Sequence, residues 1–173
     1  MKKYYPYMFS IGALIALDQI TKIMILKHFS EQETFSIVPN FFNLTLVYNK
    51  GAAFGALSNI PENIRAPFFF LIPLLAFIIL GWMFVKGQDQ SKLMKIALTS
   101  VMAGALGNFL DRLQYNKVVD FLDFYIPNCE INFHSFYTNC HWPAFNVADS
   151  CITVGIVGLF ISSIIFEQKK KSS

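Results

Sequence analysis

The sequence predicts a membrane α-helical protein: a four-transmembrane-helix bundle with a small extracytoplasmic β-sheet, a cradle, and a short surface helix. Three observations predict it. The 173-residue chain is 54% hydrophobic and only 14% charged, with mean hydropathy +0.45, whereas soluble domains carry about 25% charged residues. Four apolar stretches approach the roughly 20 residues a helix needs to cross a hydrocarbon core about 30 Å thick. Between the first two lies a segment whose large apolar residues alternate. A soluble fold of this length leaves much of its surface in water, so lipid is the natural surrounding for the excess apolar surface. Disorder is excluded, because it needs high charge and few aromatics, and 16% of these residues are aromatic. One integral-membrane domain covering 1–173 is expected.

The first span runs over about 7–26 and is interrupted by Asp18 and Lys22. Lys2 and Lys3 ahead of an apolar run suggest a signal peptide. The run contains an acid, however, and no small-x-small cleavage site follows, so a retained anchor is expected. In the loop beyond, Phe42, Leu44, Leu46 and Tyr48 alternate, the signature of a half-buried strand. Gly51 and Gly55 permit turns or close backbone approach, and Ser58 to Ala66, with Pro61 early in it, fits a short surface helix. The second span, about 66–85, has no charge between Arg65 and Lys86. The third covers about 93–112 and ends at Asp111 and Arg112. The fourth covers about 146–166, with Asp149 in its first turn.

Orientation follows from the basic residues. Lys2 and Lys3, then Lys86, Lys92 and Lys95, then Lys169, Lys170 and Lys171 fall on one side of an even number of spans. That side is read as the cytoplasm, with both termini in it, and the two longer loops face outward. The net charge of +3, from 14 Lys+Arg against 11 Asp+Glu, is too weak and scattered to suggest nucleic acid. Cys129, Cys140 and Cys151 lack metal-ligand spacing. Cys151 sits in an apolar run. Cys129 and Cys140 are either a disulfide in an oxidising compartment or two lone thiols.

Polar residues inside these spans need an explanation, because an acid at the centre of a membrane helix costs about 2.5–3.5 kcal/mol on insertion scales. Asp18 and Lys22 share a helical face, either as an internal ion pair or as a polar face toward a shared pocket. In the third span Gly104 and Gly107 allow close helix approach. Asn108 and Arg112 lie on the face of Gly104, and Asp111 lies with Gly107 and Asn108. Packing by small residues and an interfacial Arg account for Gly104, Gly107 and Arg112, but less well for Asn108 and Asp111. Beyond them comes Asp120, flanked by Val119 and Phe121; Asp123 reads as an ordinary loop acid. Asn146 and Asp149 have the spacing of a helix cap, and Trp142 that of an interfacial belt residue.

Asp120 and Asp149 are the outer-face acids nearest to apolar sequence, and they come from different elements. Two carboxylates brought together share a proton. The ionised one takes a proton from water, while the protonated one polarises a carbonyl and later protonates a leaving amine. That is aspartic peptidase chemistry, and the convergence of the two acids is the step that spacing alone leaves open. Among His28, His134 and His141 there is no HExxH pattern, and there is no Gly-x-Ser-x-Gly elbow or phosphate-binding Gly-Lys loop. No metal or cofactor is expected. Two other classes stay in play: a small transporter lined by Asp18, Lys22, Asn108 and Arg112, and an assembly subunit whose polar residues only pair helices.

Five short motifs, in order along nearly the whole chain, resemble those of the bacterial lipoprotein signal peptidases (signal peptidase II). They are Asp18-Gln19-Ile20-Thr21-Lys22, Asn49-Lys50-Gly51-Ala52-Ala53-Phe54, Gly107-Asn108-Phe109-Leu110-Asp111-Arg112, Val118-Val119-Asp120-Phe121 and Phe145-Asn146-Val147-Ala148-Asp149. The resemblance implies a multi-pass enzyme of the bacterial cytoplasmic (inner) membrane, whose substrate is a diacylglyceryl-prolipoprotein cut just before its lipidated cysteine; a monomer is expected, although the sequence does not fix the oligomeric state. It implies Asp120 and Asp149 as catalytic residues. It places Asn49, Asn108, Arg112 and Asn146 around the site, and Asp18 and Lys22 in polar support below it. Gly51, Ala53 and Phe54 fall on the outer cradle over the substrate, and Asp111 pairs with a neighbouring base. Two positions depart from the family pattern. Gly104-Ala105 stands where the family often has Gly-Gly, and Asn116 stands where it often has Gly, a place Asn can fill because it tolerates positive φ. The segment from Cys129 to Cys140 matches no family motif.

Overall fold

The computed structural model describes residues 4–50, 61–86, 91–133 and 136–171, with side chains excepted at 62–66, 69, 127–141 and 169–171. Among the described residues four helices and four strands follow in the order α1 (Tyr5–His28), β1 (Thr34–Val38), β2 (Phe42–Asn49), α2 (Glu62–Lys86), α3 (Lys92–Tyr115), β3 (Val118–Phe133), β4 (Phe136–Phe145) and α4 (Val147–Lys171). All four expected spans are helices. Among the described residues α1, α3 and the Val147–Gln168 part of α4 are long and apolar enough to cross a membrane, and α2 adds a shorter apolar stretch, Phe70–Lys86. The part of the expected surface helix that is described, from Glu62, already belongs to α2. Its remainder, together with Gly51, Ala53 and Phe54, lies outside the described residues, as do the side chains of Cys129 and Cys140.

Local chemistry sets the helix ends. Pro6 occupies the first turn of α1, where its missing N–H costs nothing. Ser91 caps α3 by accepting the Met94 N–H at 3.1 Å. Asn116 ends α3 in the left-handed region, φ 55°, the conformation for which Asn replaces Gly. Pro67 and Pro73 lie inside α2, as membrane helices allow when neighbours and local adjustments satisfy the freed carbonyls.

The helices pack through small residues. A Cβ added at Gly104 would collide with the Ala148 carbonyl oxygen, and one at Gly155 would meet Val101 Cγ2 at 2.5 Å. The glycines expected to permit close approach therefore lie where α3 and α4 touch. The opposite faces are apolar and unpartnered: on α4 Val154, Phe160 and Phe166 are each 68% exposed, as lipid-facing positions should be.

The sheet is antiparallel, in the order β1-β2-β3-β4. The strand expected from alternation at Phe42–Tyr48 is β2. Its Leu44, Leu46 and Tyr48 join Ile25 and Leu26 of α1, Val119 and Phe121 of β3 and Val147 of α4 in one apolar cluster. Burying Leu46, 2% exposed, and Val119, fully buried, contributes about 1.5–3 kcal/mol per side chain. This cluster clamps the sheet onto the bundle at the end where α1 and α3 finish and α4 begins. Asp123 is not a loop acid: it stands on β3 opposite Asn43 and accepts that residue's Nδ2–H at 2.9 Å.

Candidate active site

The start of α4 is where the acids meet. Asn146 is its cap: Asn146 Oδ1 accepts the Asp149 N–H at 2.9 Å, and Asp149 Oδ2 accepts the Asn146 N–H at 3.3 Å. This is the reciprocal arrangement of a capping box. The spacing 146–149 therefore does form a cap, and the cap fixes Asp149 in place.

The remaining amide of Asn146 faces β3. Its Nδ2 lies 2.7 Å from Asp120 Oδ1, 3.1 Å from Asn108 Oδ1 and 3.2 Å from the Val119 carbonyl oxygen, so two protons are shared among three acceptors, Asp120 being nearest. Strand alternation places Asp120 on the face opposite Val119 and Phe121. Asn49, at the end of β2, donates to Asp120 Oδ2 at 3.0 Å, and Asn108 donates to Asp149 Oδ1 at 2.7 Å. The two acids from distant stretches of chain thus converge on one asparagine, and each of their four oxygens accepts a hydrogen bond.

Asp120 is 2% exposed. Burial pushes its carboxyl up to about 7 and the charge of Asp149 adds to the rise, while the hydrogen bonds from Asn49 and Asn146 and the charge of Lys22 oppose it. A carboxyl so placed changes protonation near neutral pH, as an acid–base group must.

Asp18, Lys22 and Asp111 lie beneath, each 1% exposed. Lys22 Nζ is 2.8 Å from Asp18 Oδ2, 2.9 Å from Asp111 Oδ2 and 3.1 Å from Asn108 Oδ1, so its three protons meet three acceptors. Both alternatives for Asp18 and Lys22 hold: they form an ion pair and they face a shared polar interior. Asp111 pairs with this lysine and also accepts the Val119 N–H at 3.0 Å. Buried ions cost several kcal/mol each unless they are paired and their remaining sites are hydrogen-bonded, and here they are. Gly107 makes room for the cluster, since a Cβ there would meet Asp18 Oδ2 at 2.6 Å. Arg112 donates from Nη1 to the Asn108 carbonyl oxygen at 3.1 Å and lies within electrostatic range of both Asp120 and Asp149.

Sequence reasoning passed over Gln19. Its Nε2 reaches Asp18 Oδ2 at 3.1 Å, the Gly107 carbonyl oxygen at 3.2 Å and Asp111 Oδ1 at 2.9 Å. The available signal was an uncharged polar residue directly beside Asp18 in an apolar helix. Among the described residues no group of three His, Cys, Asp or Glu side chains has the arrangement of a metal site.

A multi-span helical membrane protein with one buried and one half-buried carboxylate sharing an asparagine at the edge of its bundle is the class that fold and site define. The family model for signal peptidase (SPase) II matches residues 10–165. The lipoprotein signal peptidase of Syntrophus aciditrophicus is 37% identical over 166 residues, 96% of each chain, and that of Syntrophotalea carbinolica is 40% identical over 149 residues, 86% of this chain and 84% of that one. A bacterial membrane enzyme solved by the in meso method superposes with TM-score 0.79 at 32% identity, over 97% of this chain and 93% of that one. The chain belongs to the signal peptidase II family, a family of peptidases.

Proposed function

We propose that this chain is a membrane aspartic endopeptidase. It removes the signal peptide from diacylglyceryl-modified prolipoproteins, cutting just before the lipidated cysteine. The observation that carries the reading is the convergence of Asp120 and Asp149 on Asn146, at 2.7 Å from Asp120 Oδ1 and, through the cap, 3.3 Å from Asp149 Oδ2. Family membership, and relatives named lipoprotein signal peptidases, supply the substrate class.

The substrate's acyl chains stay in lipid while its peptide enters beside α4 and under the sheet. The dyad holds one proton between its carboxyl groups. The ionised carboxylate takes a proton from a water molecule, whose oxygen attacks the scissile carbonyl carbon. The protonated carboxyl hydrogen-bonds to the carbonyl oxygen and stabilises the tetrahedral intermediate. Proton transfer to the amide nitrogen then lets the C–N bond break, releasing a carboxylate on the signal peptide and a free amine on the lipidated cysteine. The amides of Asn49, Asn108 and Asn146 are already oriented, so no reorganisation accompanies the charge movement. Arg112, beside both acids, serves substrate handling. Gly51, Ala53 and Phe54 belong to the cover over the substrate in this reading. The site faces outward, and the enzyme works as a monomer.

The test is cleavage of a diacylglyceryl-modified precursor by purified protein in detergent. Asp120→Asn and Asp149→Asn should each abolish product while the protein stays folded. Asp123→Asn, whose carboxylate is engaged with Asn43, should retain most activity. An active Asp149→Asn enzyme would refute the dyad.

A further inference from the structure

The charge cluster below the acids is connected to them in a way that charge neutralisation does not explain. Each partner of Lys22 uses another atom, or the same oxygen again, to hold a part of the dyad. Asp111 Oδ2, on Lys22 at 2.9 Å, also accepts the N–H of Val119 at 3.0 Å, the peptide immediately before Asp120. Asp18 holds Lys22 with Oδ2 at 2.8 Å and accepts with Oδ1 the N–H of Ala148 at 2.9 Å, the peptide immediately before Asp149. Asn108 turns its oxygen to Lys22 at 3.1 Å and its nitrogen to Asp149 Oδ1 at 2.7 Å.

We propose that Lys22 is the positioning residue that sets the spacing and orientation of the two acids. One buried ammonium group on α1 fixes three groups, and through them the backbone ahead of Asp120, the backbone ahead of Asp149, and the amide that grips Asp149. The inference rests on the peptidase reading above. The ammonium also decides which way the Asn108 amide faces: a half-turn would set its NH₂ against Lys22 and its oxygen against the Asp149 carboxylate, two repulsive contacts in place of two attractive ones. A lysine that only neutralised Asp18 and Asp111 would leave their remaining hydrogen bonds free to fall anywhere. Apart from the bond each accepts from Gln19, they fall on residues 148 and 119.

The experiment measures kcat and KM for a diacylglyceryl-modified precursor in detergent across the pH range, for Lys22→Met and Lys22→Arg. The titratable groups that Lys22 acts on are Asp18 on its own helix, Asp111 on α3, Asp120 on β3 and Asp149 on α4, with Arg112 of α3 beside the same acids. Misplacing reacting groups by an ångström costs about 100-fold, so Lys22→Met should lower kcat by that order with KM within about threefold of the unaltered enzyme. The Lys22 charge favours the ionised form of Asp120, so its loss should move the acid limb of the kcat profile, which belongs to the proton-sharing pair, upward in pH. Lys22→Arg keeps the charge and changes the donor geometry; kcat should fall while the acid limb stays in place. If Lys22→Met does not accumulate folded, the Lys22→Arg split decides alone. Unchanged kcat, or an effect confined to KM, would overturn the proposal. Lys27→Met, an exposed lysine in the last turn of α1, should leave both constants unaltered. Asp120→Asn in the same assay separates the two readings. Activity there sinks the peptidase reading itself, whereas an inactive Asp120→Asn beside a fully active Lys22→Met sinks only the positioning role.

Discussion

At the residue scale the decisive quantity is the environment of Asp120. An unfolded aspartate titrates near about 3.9, and the folded one is raised to about 7. Between those values the folded chain keeps a proton that the unfolded chain has lost. The contribution of Asp120 to stability is therefore fully present below about pH 4 and lost as pH rises through 7, an effect on the order of a few kcal/mol. Thermal unfolding in detergent should show a midpoint that falls between about pH 4 and pH 7, and Asp120→Asn should flatten that slope because the side chain at 120 can no longer ionise. Identical slopes in both proteins would show that the acid is not held in a desolvated site. The residue types of this site were legible in the sequence, since acids and asparagines beside apolar runs are costly there and demand a reason. Their pairing was not. Asn146 reads as a cap from its spacing, and it is one, but its second role depends on where β3 lies. Gln19 carries no charge to mark it, although it ties Asp18 to Asp111.

At the element scale the helices announce themselves by length and hydropathy; α1 and α3 extend the expected spans by two or three residues at most at either end, α2 takes in part of the expected surface helix, and α4 starts one residue later because Asn146 is its cap. The sheet was half legible. β2 alternates because one row of its side chains, Leu44, Leu46 and Tyr48, packs against the α1 end. β3 gives no such signal: Val118, Val119, Asp120 and Phe121 are all buried in succession. A strand covered on both faces has no period of two, so the partner strands β3 and β4 stayed hidden in what read as a loop. The glycine positions were legible as a class, and the structure tells them apart. A methyl group at Gly104 must displace the Ala148 backbone, whereas one at Gly12 meets nothing within 4 Å. Gly104→Ala should therefore lower stability in detergent by about 1–3 kcal/mol, the cost of overpacking, with loss of cleavage because Ala148 immediately precedes Asp149. Gly12→Ala should leave both unaffected. Equal melting of the two variants would remove the argument that α3 and α4 touch through Gly104.

At the scale of the whole molecule, depth in the membrane joins the helix lengths to the chemistry. Helices of 24 and 25 residues extend about 36 Å at 1.5 Å per residue, longer than a hydrocarbon core of about 30 Å. Their ends therefore reach the interface. Asp149 lies in the first turn of α4, and Asp111 one turn from the end of α3, so the acids sit at interfacial depth, where a lipid-anchored peptide and a water molecule can both arrive. Lys22 and Asp18 start further from the end of their helix, but their charged groups reach Asp111 and the Ala148 N–H, and their burial keeps water from the ion pair. The same end carries the sheet, and the opposite end carries Lys86, Lys92 and Lys95. The positive-inside rule then predicts that the sheet and the acids face outward. In a chain with Cys129, Cys140 and Cys151 changed to Ser, a thiol introduced by Glu31→Cys, between α1 and β1, should react with a membrane-impermeant maleimide added to intact cells stripped of their outer layers. One introduced by Gln168→Cys, near the end of α4, should react only after the membrane is opened. The reverse pattern would place the acids in the cytoplasm. A lipidated precursor translocated through the membrane presents its cleavage site on the outer side, so such an enzyme could not reach it.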